Sequence, residues 1–305
     1  MLPTRDDVER ARATIGPRLA RTPLLQNRTL SARLKCELLQ RTGSFKVRGA
    51  LNKLSSLTPD QKQRGVIAIS AGNHAQAVAY AAALEGIDAL VVMWQGASPQ
   101  KIEATRGYGA TVDLQATGPS DAFERLDQLQ TDTGRTLVHP FDDPVVIAGA
   151  GTVALEIEED APDVDAVIVP VGGGGLISGV QTALEGRTRV IAVEPETSTA
   201  LHSAIENGAP VPVNPTSIAD GLNAPFAGAL PLRICAQLER VLVDESEIEA
   251  AFRFVYERAK LACEPAGAVA VAAWLSGRIE AENPVVIVSG GNVAAETAAA
   301  ILARR

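Results

Sequence analysis

The strongest constraint on what this chain can fold into is the junction Val169-Pro170-Val171-Gly172-Gly173-Gly174-Gly175-Leu176-Ile177-Ser178-Gly179. A short apolar run enters four consecutive glycines and continues into a helical pattern. Glycine loses more backbone freedom on folding than any other residue, so four in a row imply a backbone that must approach something closely. Successive N–H groups cradling a phosphate are the usual reason. A nucleoside-triphosphate loop is excluded, because no Gly-Lys-Ser/Thr ending follows. The dinucleotide fingerprint also fails, since glycines at 172 and 174 call for a third where Ile177 stands. Glu194, about 20 residues on, is placed like the ribose-binding acid of that fold and keeps a nicotinamide reading open.

The same strand-to-helix rhythm runs almost from end to end. Short β-branched runs at Val66–Ser70, Ala89–Trp94, Thr111–Leu114 and Thr136–His139 form one group of predicted strands. Ala166–Val171, Arg189–Glu194, Arg240–Val243 and Val285–Ser289 form a second. Between them, alanine-rich segments of helical period predict helices near 5–20, 45–56, 73–86, 98–108, 119–133, 145–160, 175–185, 246–261, 266–276 and 292–304. The expectation is an α/β fold of two open, twisted, mainly parallel sheets with helices on both faces. Residues 1–55 and 141–305 are expected to make a large domain, with 56–140 inserted as a small one. Asn207–Pro225, rich in Gly, Pro and Asn, reads as a long irregular connection.

Lys46 stands in Arg41-Thr42-Gly43-Ser44-Phe45-Lys46-Val47-Arg48-Gly49-Ala50, at the start of a predicted helix. A lysine amine becomes a nucleophile when burial lowers its pKa or when it is already condensed with a carbonyl; a lone lysine is more often a solvated one. Ser70-Ala71-Gly72-Asn73-His74-Ala75 is a strand-to-helix turn, where ligands of open α/β sheets sit and a helix N-terminus favours anions. Its backbone and the Ser70 and Asn73 side chains suit a substrate carboxylate or a cofactor oxygen, although such a turn alone is a plain cap. His74, His139 and His202 read as packed or capping histidines. Ser289-Gly290-Gly291-Asn292-Val293 repeats the strand, turn, helix arrangement, and a serine hydroxyl there suits a heteroaromatic nitrogen. Cys263-Glu264-Pro265-Ala266-Gly267-Ala268 reads as a tight turn into a small-residue helix. Asp142-Asp143 read as a turn and cap, and Glu194 with Glu196 as a solvated pair too poor in ligands for a cation; no metal is expected.

Composition narrows the class. The 305 residues are 46% apolar and 21% charged, with a formal net charge of −8 and no basic block, which argues against nucleic acid or an anionic membrane as partner. The first residues lack a signal pattern and no apolar run reaches membrane-spanning length, so a cytoplasmic protein is expected. Cys36, Cys235 and Cys263 have no metal or disulfide spacing and read as reduced core thiols.

Taken together, Ser44-Phe45-Lys46, Ser70-Ala71-Gly72-Asn73-His74, Gly172–Gly175 and Ser289-Gly290-Gly291-Asn292, with His139-Pro140-Phe141-Asp142-Asp143-Pro144 between them, resemble the fold-type II pyridoxal-phosphate enzymes. The likeness is to the threonine/serine dehydratase and serine racemase group, with its tryptophan synthase β-like fold. It runs over nearly the whole chain. It implies that Lys46, flanked by Phe45, holds pyridoxal 5'-phosphate as a Schiff base, and that Asn73 bonds the cofactor's ring hydroxyl. It further implies that Gly172, Gly173, Gly174, Gly175 and Leu176 grip the phosphate, and that Ser289 faces the ring nitrogen. Ser70, Ala71, Gly72, Asn73 and His74 would hold the substrate carboxylate.

The chemistry implied is β-elimination from L-threonine or L-serine: the freed Lys46 removes the α-proton, the β-hydroxyl leaves, and hydrolysis gives a 2-oxo acid and ammonia. Ala71, where racemase-type relatives carry a serine acid/base, and Phe141, where they tend to have Asn, rank dehydration above racemisation. Ala200 stands where metal-binding members have an acid, which weighs against a cation site. Serine racemase, dehydratases of 3-hydroxyaspartate, phenylserine or hydroxyectoine-pathway substrates, and a non-catalytic binding protein are the alternatives. Relatives imply a homodimer or homotetramer. With the sequence ending soon after Ser289, a regulatory domain like that of biosynthetic threonine dehydratases is not expected. The short segment Leu25–Lys35 is expected to loosen the early large lobe.

Overall fold

The structure is a computed structural model that describes residues 1–304. Among the described residues there are ten strands: β1 (Leu24–Asn27), β2 (Ala32–Cys36), β3 (Val66–Ile69), β4 (Ala89–Trp94), β5 (Thr111–Ala116), β6 (Thr136–Leu137), β7 (Ala166–Pro170), β8 (Arg189–Pro195), β9 (Glu239–Val243) and β10 (Pro284–Val288). They make two sheets, of order β1-β2-β10-β7-β8-β9 and β5-β4-β3-β6. Every pairing is parallel except β1 with β2. The four-stranded sheet draws all its strands from the stretch between Val66 and Leu137.

Period-two alternation explains why both faces of each sheet are covered. Along β7, Ala166 and Ile168 enter one core while Val167 and Val169 enter another; Val286 and Val288 of β10 and their neighbours Val285 and Ile287 divide the same way. The first core is closed by the helices Glu245–Phe254 and Pro265–Leu275. The second is closed by Arg5–Ile15, Pro144–Asp160 and Gly175–Leu184. In the smaller sheet Val66 and Ala68 face the helices Lys46–Ser55 and Asn73–Glu85, and Ile67 and Ile69 face Pro119–Thr133. A strand buried on both faces favours apolar residues at successive positions, which is why these runs are continuous in the sequence.

Departures from the expected elements have local causes. The helix expected over 5–20 stops at Ile15 because Gly16-Pro17 turn into a short 3-10 segment. The one expected over 246–261 leaves α geometry at Phe254 for a π-turn, Val255–Ala259, and ends on Lys260 in the left-handed region. Helices at Pro59–Arg64, Ala200–Asn207 and Ala229–Cys235 add to the expected set. Leu25–Lys35 is not loosened: it folds into the β1–β2 hairpin, Leu24 opposite Lys35 and Asn27 opposite Ala32, and β2 pairs with β10 on its other side. All three cysteines are buried and free.

Candidate active site

The site lies where the glycine-rich turns at the carboxyl ends of β3, β7 and β10 converge on the first turn of the Lys46–Ser55 helix. The turn after β10 is zipped to the chain before the lysine. Phe45 N–H donates to Ser289 O (3.1 Å), Ser44 bridges Gly290, and Gly291 N–H donates to Gly43 O (2.9 Å). Asn292 Nδ2 donates to Thr42 O (2.8 Å). Gly43 has φ 73° and a Cβ there would overlap the Asn292 amide, so the turn before Lys46 admits only glycine.

Lys46 is the first residue of its helix, and its Nζ donates to Pro140 O across 2.9 Å. Burial pushes the amine down to about 8, against a smaller pull upward from Glu264. Lys46 and Phe45 share one small cavity with Gly172, Gly173, Gly174, Gly175 and Leu176. Phe141 and Leu222 close its walls.

The four glycines are each required by contact. A Cβ on Gly172 would meet Leu222 O at 2.8 Å, and one on Gly173 or Gly175 would run into Phe141. One on Gly174 would strike Pro231 at a φ of 93°. The N–H groups from Gly172 through Leu176 find no protein acceptor among the described residues outside the helix they start. A run of free N–H groups at the N-terminus of a ten-residue helix, sharing a cavity with a lysine of lowered pKa, fits an aldehyde cofactor with a phosphate tail.

Asn73 opens the Asn73–Glu85 helix. Its Nδ2 donates to Glu264 Oε1 (2.6 Å) and its Oδ1 accepts from Asn292 Nδ2 (2.8 Å), so residues from three turns meet at one amide. Ser70 Oγ accepts from Gly72 N–H (3.1 Å) and shapes the turn, and Ala71 is partly buried against the smaller sheet's core. The His74 ring is buried and bonded to Val138 O (2.8 Å), which makes Nε2 the protonated nitrogen; burial and nearby Lys46 push it down to about 3. His139 Nδ1 accepts from Asp142 N–H (2.8 Å) and caps its own turn. Asp143 caps the Pro144–Asp160 helix, and Asp142 accepts from the N–H groups of Ala229 and Leu230, as a turn and cap would.

Two carboxylates differ from the sequence reading. Glu264 is 2% exposed and sits beside Asn73, where burial pushes it up to about 7. The sequence offers only an acid before a proline, in what reads as a tight turn into a small-residue helix. Glu194 is not part of a solvated pair: it is 1% exposed, accepts from Leu201 and His202 N–H (2.8 Å each), and is pushed up to about 8 by burial. Its oxygens are committed to the unexpected Ala200–Asn207 helix, while Glu196 alone is solvated. No cluster of three or more acidic, histidine or cysteine side chains suited to a metal occurs among the described residues.

Comparison with known proteins agrees with this geometry. A family profile described as pyridoxal-phosphate dependent enzyme matches residues 15–291. The chain is 44% identical to the L-threonine dehydratase catabolic TdcB of Staphylococcus aureus (strain USA300), over 94% of this chain and 88% of that protein. Among solved structures it superposes on maize serine racemase with a TM-score of 0.91 at 35% identity, covering 97% of this chain and 96% of that one. It superposes on the processed form of threonine deaminase isoform 2 from Solanum lycopersicum with a TM-score of 0.90 at 34% identity, covering 99% of this chain and 90% of that one. With the profile spanning the lysine, the phosphate-type loop and the Ser289 turn, the chain belongs to the pyridoxal-phosphate dependent enzymes of fold type II.

Proposed function

We propose that this enzyme is an ammonia-lyase that dehydrates L-threonine or L-serine to a 2-oxo acid and ammonia. The observation that carries the reading is the half-buried Lys46 amine, lowered to about 8, sharing a cavity with the free N–H groups of Gly172–Leu176. Relatives named L-threonine dehydratase at 44% identity support the choice of substrate.

Pyridoxal phosphate, when bound, supplies the electron sink that makes an amino acid's α-proton removable. The protein's residues do the rest. Lys46 takes that proton, for which an amine near neutrality is suited. Gly172, Gly173, Gly174, Gly175 and Leu176 would hold the phosphate by their N–H groups, Asn73 would hold the ring oxygen, and Ser289 would face the ring nitrogen. A serine there, unlike an aspartate, does not force that nitrogen to be protonated, which suits elimination. Phe45 packs beside the lysine, with the amine 5.2 Å from its ring centroid. Ser70, Ala71, Gly72, Asn73 and His74 receive the substrate carboxylate, His74 through its backbone because its ring is bonded to Val138.

Serine racemase is the second reading, supported by the maize structure. Ala71 offers no acid or base for returning a proton to the opposite face, so dehydration ranks first. The units 1–55 with 141–305, and 56–140, are assigned as large and small domains of a cytoplasmic homo-oligomer; no described helix is long and apolar enough to cross a membrane.

The test is a visible absorption spectrum of the purified protein before and after L-threonine, with ammonia and 2-oxo acid measured in the same cuvette. A cofactor band that shifts and returns as both products appear is expected. A band indifferent to L-threonine and L-serine would remove those substrates, and D-serine formation outpacing ammonia release would favour the racemase.

A further inference from the structure

We propose that Glu264 is a positioning residue for the cofactor: by accepting a hydrogen bond from Asn73 Nδ2 it fixes which edge of the Asn73 amide faces the cofactor's ring oxygen. The inference rests on the reading above that Asn73 contacts that oxygen.

An asparagine amide has two donors on one side and an acceptor on the other, and a flip exchanges them. Asn73 is held from both sides. Asn292 presents a donor to its Oδ1 at 2.8 Å, and Glu264 presents an acceptor to its Nδ2 at 2.6 Å. Asn292, whose Nδ2 also donates to Thr42 O, accepts only one orientation of that amide, and the Glu264 acceptor matches it, so Nδ2 keeps one further hydrogen available. A carboxylate suits this post because Oε1 accepts whether or not Oε2 carries a proton.

The surroundings are built to place that oxygen. Glu264 N–H donates to Gly290 O (3.1 Å), and Gly267 N–H donates to Glu264 O (2.9 Å), which locks the residue's backbone against the Ser289 turn. A Cβ on Gly290 would overlap Glu264 Oε1 and lie 3.2 Å from Asn73 Nδ2, and one on Gly267 would overlap Gly290 O. Burying a carboxylate under one amide is costly unless the bond it makes is needed. A plain strut between the two sheets would serve without an acid.

The test is a double-mutant cycle read on cofactor binding to apo-protein, by titration of the visible band with pyridoxal phosphate. Glu264→Met removes the acceptor at similar length. It is expected to weaken the cofactor about ten- to a hundredfold, the range of a hydrogen bond to a charged group, and to move the band maximum. Glu264→Gln, which keeps an acceptor, should restore most of the affinity. In an Asn73→Ala background, Glu264→Met should add no further loss, because the residue it orients is gone. Losses that multiply in the double variant, an unchanged Glu264→Met, or a glutamine as weak as methionine would each overturn the proposal. If Asn73→Ala alone changes neither affinity nor band, the placement of Asn73 on the cofactor fails and the inference with it. Glu264→Asp withdraws the oxygen by one C–C bond and carries the same cycle should the methionine variant not fold, with the same coupling expected.

Discussion

The Lys46 amine and the Pro140 carbonyl stand 2.9 Å apart although 94 residues separate them, which docks the amine against the chain just after the last strand of the smaller sheet. The amine is thereby held in a partly buried place with one acceptor, and burial keeps its pKa near 8. In apo-protein, acetylation of Lys46 followed by peptide mass spectrometry should rise with pH and level off above about 8. An exposed lysine should keep gaining toward pH 10 or above. The stability consequence has a definite sign. Between pH 8 and 10.5 the folded chain has released a proton that the unfolded chain retains, so the penalty for burying Lys46 is full below 8 and relieved as pH rises toward 10.5. A Lys46 that titrates like an exposed residue would refute this.

Two residues beyond the lysine, Arg48 is 1% exposed and bonded to Glu37 (2.7 and 2.8 Å), Glu156 (2.7 Å) and Thr152 (3.2 Å). Lys35 completes the group by bonding Glu156 at 2.6 Å, so two buried cations face two buried carboxylates. Arg48→Met leaves Glu37 without its cation, and removal of one partner from a buried pair costs about 3–5 kcal/mol. Urea unfolding should show a loss of that size. A loss below about 1 kcal/mol would mean that the cluster is better hydrated than its burial implies.

The Lys101–Asp220 pair (2.5 Å) joins the helix Pro99–Gly107 on the smaller sheet to the turn that carries Gly221 and Leu222 into the site. Asp220 is more than half exposed, so the pair contributes at most about 1 kcal/mol. Lys101→Ala should change KM by no more than about fivefold and leave kcat nearly unchanged. Raising the salt concentration should bring wild type toward the variant. A large fall in kcat would place Lys101 in the chemistry instead.

How much of this is legible in the sequence depends on whether the signal is local. Strands such as Val66–Ile69 and Ala166–Pro170 are apolar at every position and bounded by turn residues, so they announce themselves. β2 does not, because Lys35 within it is charged yet fully buried, neutralised by Glu156 from a helix 121 residues away. The glycine run likewise advertises a close approach, and the structure supplies the obstacles in Phe141, Leu222 and Pro231. Glu264 and Glu194 escape a sequence reading for one reason. A buried carboxylate is defined by partners distant in the chain or by an unforeseen helix, here Asn73 for one and Ala200–Asn207 for the other.

The glycine loop allows a prediction that separates crowding from backbone strain. A Cβ on Gly173 would overlap the ring of Phe141, a side chain that can be shortened. A Cβ on Gly174 would be carried at a φ of 93°, a region that L residues other than Asn and Asp seldom visit, as well as striking Pro231. Both Gly173→Ala and Gly174→Ala displace N–H groups proposed above to hold the phosphate, and crowding of this kind costs about 1–3 kcal/mol. Each should therefore weaken pyridoxal phosphate by roughly ten- to a hundredfold in a titration of apo-protein. Adding Phe141→Ala should recover most of the loss for Gly173→Ala, because it removes the Cγ and ring atoms in the way. It should recover none for Gly174→Ala, whose cost lies in its own backbone and in Pro231. Equal rescue of the two variants would show that Phe141 acts on the loop as a whole, and no rescue of either would place the Gly173 defect in the backbone.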